Sequence, residues 1–222
     1  MKLIASIASI FLLFACATEP SIERVLPILG NYDIEYSLVD GKEVSDTIYQ
    51  SIPFFSFLNQ DSVRVKSTEL KGKIWITDFF FTTCTTVCPK MTAQMKRLHA
   101  LTSDLEGELQ FISFSINPTK DKPSVLKSYR ESQGITAKNW LFLTGDEEET
   151  HRLGVENFLI AAIKDDQAID GFVHSEAFTL VDREGHVRGV YNTSDPAQVD
   201  QLNEDLRKLL KYEYNIDRPK KN

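Results

Sequence analysis

Residues 74–91 read Ile74-Trp75-Ile76-Thr77-Asp78-Phe79-Phe80-Phe81-Thr82-Thr83-Cys84-Thr85-Thr86-Val87-Cys88-Pro89-Lys90-Met91. The first part is an apolar run of strand length, entered through the turn residues Leu70-Lys71-Gly72-Lys73. The last part opens a helix predicted over 89–103, whose apolar residues Met91, Met95, Leu98 and Leu101 recur at spacings of four and three. Pro89 suits the first helical turn and disfavours helical geometry at the residue before it, Cys88. Two cysteines four apart thus stand between a buried strand and a helix N-terminus, which favours the thiolate form. In a regular helix such residues have Cβ atoms about 5–6 Å apart, whereas a disulfide needs about 3.5–4.5 Å. A looser loop can close that gap or leave it open. It can exchange disulfides, hold a soft metal, or do both. A purely structural disulfide here would close a very short loop and contribute little.

On either side of this stretch, strands and helices alternate. Tyr32 to Val39 alternates apolar and polar residues and ends at Asp40-Gly41, so residues 31–48 read as a β-hairpin. Val63-Arg64-Val65 is a short strand, Gln110–Ile116 a second buried strand and Leu141-Phe142-Leu143 a third. Helices are predicted over 123–133, with Pro123 at its start and Gly134 as its stop, and over 146–158, opened by acids. Ala177–Val181 and Val187–Tyr191 form a hairpin turned by Gly185, and a last helix runs over 196–212 with Ser194 or Asp195 as cap. Parallel units feeding an antiparallel hairpin give an α/β fold, a mixed sheet with helices on both faces. With a dithiol at the carboxyl end of the first long strand, where open α/β sheets place their sites, this is a thioredoxin-like architecture.

The 222 residues, 42% hydrophobic and 26% charged, bound the molecule to one globular domain with a small extension. A net charge of −7 without a basic stripe argues against nucleic acid as partner. At the N-terminus Lys2 precedes an apolar run, Ile4–Phe14, shorter than the roughly 20 residues a membrane span needs. This is the architecture of an export signal. Leu13-Phe14-Ala15-Cys16 resembles the bacterial lipoprotein cleavage box, which implies removal of residues 1–15 and a lipid on Cys16 that holds the domain outside the cytoplasm, facing the periplasm or cell exterior. A plain signal peptide is the alternative. With Cys16 acylated, Cys84 and Cys88 are the only thiols of the chain, in a compartment that permits disulfides. The expected organisation is a signal over 1–15, a lipidated tether over 16–30, a hairpin extension over 31–50, the thioredoxin-like domain over 51–213 and a polar tail over 214–222.

Four histidines could add a ligand to the two sulfurs. His99 at the edge of a helix face, His151 in a charged helix start and His186 in a hairpin turn read as solvated or locally satisfied. His174, in Asp170-Gly171-Phe172-Val173-His174-Ser175, differs. In a thioredoxin fold this loop faces the dithiol and carries a cis-proline, yet the chain has no proline between Pro123 and Pro196. Two thiolates and an imidazole suit Cu(I), and with added oxygen ligands Cu(II). Met91 and Met95, at helical spacing, read as core. Asp78, six residues before Cys84, resembles the buried acid of thioredoxins that accepts a proton during exchange. The competing reading pairs it with a lysine such as Lys73.

Thr82 to Met91 resembles the CxxxCP motif of the Sco/SenC family. His174-Ser175 with Phe178–Asp182 and Gly185 resembles its histidine segment, Ser113–Pro118 with Asp121 its second-strand exit, and Trp140–Gly145 its third strand. The likeness covers roughly residues 52–212. It implies a membrane-anchored copper-binding metallochaperone that assists assembly of the binuclear copper centre of cytochrome c oxidase, by donating copper, by reducing target cysteines, or both. Carried over, Cys84, Cys88 and His174 are the copper ligands. The partner is then a copper-accepting oxidase subunit or another exported copper or thiol protein. Asn117 departs from the family pattern, which usually has aspartate there. The alternatives are a thiol-disulfide oxidoreductase of exported proteins and a redox or copper sensor. No Pro-x-x-x-Thr-x-x-Cys arrangement precedes Cys84, which sets a peroxidase aside.

Overall fold

A computed structural model describes residues 24–164 and 172–218, with the backbone alone for 162–164 and 172–174. The export signal and Cys16 lie outside the described residues. The elements are β1 (Tyr32–Val39), β2 (Lys42–Tyr49), β3 (Ser56–Asn59), β4 (Arg64–Lys66), β5 (Ile74–Phe80), α1 (Cys88–Leu101), β6 (Leu109–Ser115), α2 (Pro123–Ser132), β7 (Trp140–Thr144), α3 (Glu147–Arg152), β8 (Ala162–Lys164), β9 (Phe172–His174), β10 (Ala177–Val181), β11 (Val187–Asn192) and α4 (Pro196–Lys208).

Seven strands form one sheet in the order β11-β10-β5-β6-β7-β3-β4. β5, β6 and β7 are parallel, and β10 and β3 flank them antiparallel. Every residue of β5 and β6 is buried, which is why both read as continuous apolar runs instead of alternating ones. Aromatic rings fill both faces of the sheet. Phe80, Phe142 and Trp140 meet Tyr129 of α2 and His99 of α1 on one face, while Phe79 and Phe114 stack with Phe55, Phe57 and Phe158 on the other. Each fully buried phenylalanine contributes about 1.5–3 kcal/mol.

The predicted mixed sheet and the N-terminal hairpin are present. Asp40 and Gly41 both have positive φ, at 52° and 75°, the requirement of a tight two-residue hairpin turn. α4 is capped by Asp195, whose carboxylate accepts the Ala197 N–H. Several features differ from the sequence reading, among them the β8–β9 pair, where a loop was read. α1 starts at Cys88, one residue ahead of Pro89, because Cys88 is bound into the first turn by Cys84. β3 went unforeseen, since its four residues become a strand only through pairing with β4 and β7. The third helix is α-helical for six residues and then widens into a π turn over Leu153–Asn157.

Both ends of the described chain dock on the body. Leu29 forms a bridge to Val187, and Val25 N donates to Glu213. Tyr214 and Ile216, in the segment expected as a polar tail, rest against the core. Arg188 gathers these pieces. Its guanidinium donates to Leu26 O, Pro27 O, Asp182 Oδ2 and both Glu213 oxygens, at 2.6–3.1 Å.

Candidate metal centre

The carboxyl end of β5 delivers the dithiol. Its position is fixed by the neighbouring strand, since Ile116 N donates to Phe80 O across the parallel ladder. Cys84 N then closes a turn on Phe81 O, and Met91 N bonds Val87 O as α1 begins. Cys88 N donates to Cys84 Sγ at 3.3 Å, so one sulfur serves as acceptor at the positive end of the helix, which favours negative charge on it. The Thr86 hydroxyl lies 3.8 Å from the same sulfur. Both residues are present as thiols. Cys84 is 7% exposed and Cys88 1%, so Cys84 is the sulfur at the solvent edge. The Cys88 thiol is pushed well above its ordinary range, first by its hydrogen bond to Cys84, then by burial.

A carboxylate that the sequence reading quoted only as part of a resemblance holds this loop. Asp121 is fully buried and accepts from Thr82 N at 3.0 Å, Thr82 Oγ1 at 2.5 Å and Ser115 Oγ at 2.6 Å. It pins the backbone two residues before Cys84 to the exit of β6. The available signal was the polar set Ser115, Asn117 and Asp121 directly after an apolar strand. Asn117 is itself buried. Its side-chain oxygen accepts from Thr119, and its backbone N–H donates to Ser115, so the neutral amide completes this turn without a charge. Asp121→Ala will leave the buried Ser115 hydroxyl and the half-buried Thr82 donors without that acceptor, at about 1–3 kcal/mol for the buried group. A urea titration of the reduced protein measures this, and unchanged stability would refute the pinning role.

Asp78 is buried at 2% exposure, paired in register with Ser113, and its charge helps to raise Cys88. Lys73 stands in the turn just ahead of β5, outside the strand that carries Asp78. Beneath the thiols, the Tyr129 hydroxyl meets Thr92 Oγ1 at 2.9 Å, and burial pushes that phenol up to about 12. Phe79, Phe80 and Phe81 are buried under the loop, and Met91 and Met95 are core.

The other histidines are locally engaged. His99 meets Asn139 at 2.9 Å, and His186 lies 3.4 Å from Asp182. His151, read as solvated or locally satisfied, is satisfied: its ring nitrogen is 2.9 Å from Ile116 O, where α3 crosses the exit of β6. His174 ends β9, its backbone in register with Ala162 of β8. Because Thr179 pairs with Thr77, the segment ahead of β10 lies at the carboxyl end of β5, the same end as Cys84. The side chain of His174 falls outside the described residues. The fit of a soft metal rests on the two thiols at one helix entrance, a donor pair suited to Cu(I).

A mixed sheet with a dithiol spanning strand end and helix start makes this a thioredoxin-like dithiol protein. The SCO1/SenC family model matches residues 45–211, and the chain belongs to that family. It is 33% identical over 168 residues to the SCO1 protein homolog of Bacillus subtilis, covering 75% of this chain and 86% of that one. It is 34% identical to a SCO1/SenC family lipoprotein from Bacillus anthracis, with a TM-score of 0.64 over 71% of this chain and 94% of the other. A structure of BsSco, described as a member of the Sco family of cytochrome c oxidase assembly proteins and as having a disulfide switch, is also 34% identical, with a TM-score of 0.62 over 70% and 91% of the two chains.

Proposed function

We propose that this protein is a membrane-anchored copper metallochaperone for the binuclear copper centre of cytochrome c oxidase, with Cys84, Cys88 and His174 as ligands and a lipid on Cys16 as anchor. The observation that carries the reading is the sulfur pair itself: Cys88 N–H donates to Cys84 Sγ at a helix start, both thiols are nearly buried, and β9 brings the His174 backbone to the same end of the sheet. Copper is cargo in this reading. The reduced pair binds it as thiolates, soft ligands for Cu(I), and the imidazole closes the site. Oxidation of the pair to a disulfide gives up two protons and two electrons and removes the binding site, so the redox state governs loading.

The same atoms support thiol reduction of the target as a second task. Cys84, at the solvent edge, attacks a target disulfide to form a mixed disulfide. The second sulfur, Cys88, then attacks Cys84, forming the intramolecular disulfide and releasing the target as a dithiol. In this reading Asp78, buried in β5 and close enough for its charge to act on Cys88, accepts the proton that Cys88 must lose. The relative with a described disulfide switch favours carrying this reading alongside the first.

His174→Ala separates the two tasks. Copper affinity is expected to fall beyond the roughly 10–100-fold typical of losing an outer-shell partner, with disulfide exchange largely retained. Titration of the reduced protein with Cu(I) and Cu(II), alongside an exchange assay, measures both. Unchanged copper affinity would remove His174 from the site.

A further inference from the structure

The β1–β2 hairpin stands apart from the body, with every residue from Tyr32 to Ile48 exposed. Its register places Tyr32, Ile34, Tyr36 and Leu38 on one face, opposite Tyr49, Thr47, Ser45 and Glu43. Such a stripe is normally the buried side of a sheet, yet Ile34 is 49% exposed, Tyr36 67% and Leu38 77%. Among the described residues only the root is packed, with the Tyr49 ring against His186 and the Arg24 guanidinium over Tyr49. An isolated two-stranded hairpin is marginally stable, and its open edges are templates for a further strand.

The charges break a local rule as well. Glu35 faces Asp46 directly across the ladder, a like-charge pair that destabilises a hairpin. Over residues 32–49 there are five carboxylates, Asp33, Glu35, Asp40, Glu43 and Asp46, against the single base Lys42. A local conflict retained on an exposed surface is where function is to be sought. The family match begins at residue 45, so β1 lies wholly outside it, and this surface is separate from the chemistry the family shares.

We propose that the hairpin is a docking arm for a protein partner presenting an extended segment of alternating basic and apolar residues, taken up by strand addition. Backbone pairing on the open edge supplies the attachment, the Tyr36–Leu38 stripe receives the apolar side chains, and the carboxylates select the basic ones. A second copy of the chain would bring a like-charged arm, and an anionic bilayer would repel it. The arm is rooted far from the thiols. Ile52 N bonds Gly185 O and Leu29 pairs with Val187, at the N-terminal end of β5, so a docked partner leaves Cys84 open.

The test uses the full chain and two fluorescent nonapeptides, one alternating valine with lysine and the other valine with glutamate. The lysine peptide is expected to bind saturably, and more weakly as salt screens the carboxylates. The Tyr36→Ser/Leu38→Ser double variant should weaken it at least tenfold. Glu35→Lys should do the same although it converts the like-charged pair into a favourable one and so firms the hairpin, which distinguishes lost recognition from lost folding. Copper uptake at Cys84 and Cys88 should not change in either variant. Equal binding of the two peptides, or indifference to both variants, overturns the proposal. So does a dimer seen by sedimentation that the Tyr36→Ser/Leu38→Ser variant dissolves, or co-pelleting with phosphatidylglycerol vesicles that it abolishes.

Discussion

Cys84→Ser is expected to abolish high-affinity Cu(I) binding while leaving the fold intact. A hydroxyl is a hard donor that stays protonated at neutral pH, so it replaces neither the charge nor the softness of a thiolate. The loss should exceed the roughly 10–100-fold that follows removal of an outer-shell partner. The structural cost is small because the side chain sits at the solvent edge and serine can still accept the Cys88 N–H. Cys88→Ser should lose copper equally but also lower stability, by about 1–3 kcal/mol, since the side chain is 1% exposed and the shorter serine gives up the sulfur's packing and its hydrogen bond with Cys84. Competition against a Cu(I) chelator and a thermal melt of each variant give the two readouts. If Cys84→Ser keeps its affinity, the proposed ligand set is wrong.

The largest stability effect is expected at Arg188. Its side chain is 2% exposed, as is that of Asp182, and that of Glu213 is 8% exposed. Arg188→Ala would leave two carboxylates buried without their counter-charge, and removing one member of such a group costs about 3–5 kcal/mol. Docking of residues 25–29 would weaken too, because Arg188 holds Leu26 O and Pro27 O. The pH dependence has a defined sign. Burial alone would push the Glu213 carboxyl up, but the hydrogen bonds and charge of Arg188, with the N–H groups of Val25 and Leu26, hold it below its ordinary value of 4.5. A depressed carboxyl contributes stability that is complete above 4.5 and is lost as the pH falls through the folded value. In Arg188→Ala that contribution is already gone, so the gap between variant and parent in urea midpoints should narrow below pH 4.5. A gap of the same size at pH 7 and pH 3 would show that the guanidinium acts through packing alone.

What could be read from the sequence follows from where each signal is stored. β5 and β6 were legible because full burial on both faces leaves an unbroken apolar run. The hairpin was legible because Asp40-Gly41 satisfies a turn that demands positive φ. β3 was not, since Ser56 to Asn59 carry no periodic signal and owe their strand to neighbours distant in sequence. The dithiol was visible as a spacing and a proline. The carboxylate that steadies it was not, because Asp121 reaches Thr82 across 39 positions and only the fold brings them together. For the same reason the partner of His151 could not be named: only the fold brings Ile116 O to its ring.

The rooting of the chain at the N-terminal end of β5, with the thiols at the other end, sets a distance. With a lipid on Cys16, the stretch to Arg24 spans at most about 28 Å when fully extended, and the seven residues of β5 add roughly 23 Å. On the proposed anchoring, the sulfur pair would sample a half-sphere of about 50 Å radius above the bilayer. One molecule in that volume is an effective concentration on the order of millimolar for any acceptor anchored alongside. At that local concentration even a weak docking contact would be saturated, and the proposed exchange of copper or of a disulfide would be limited by orientation instead of by encounter.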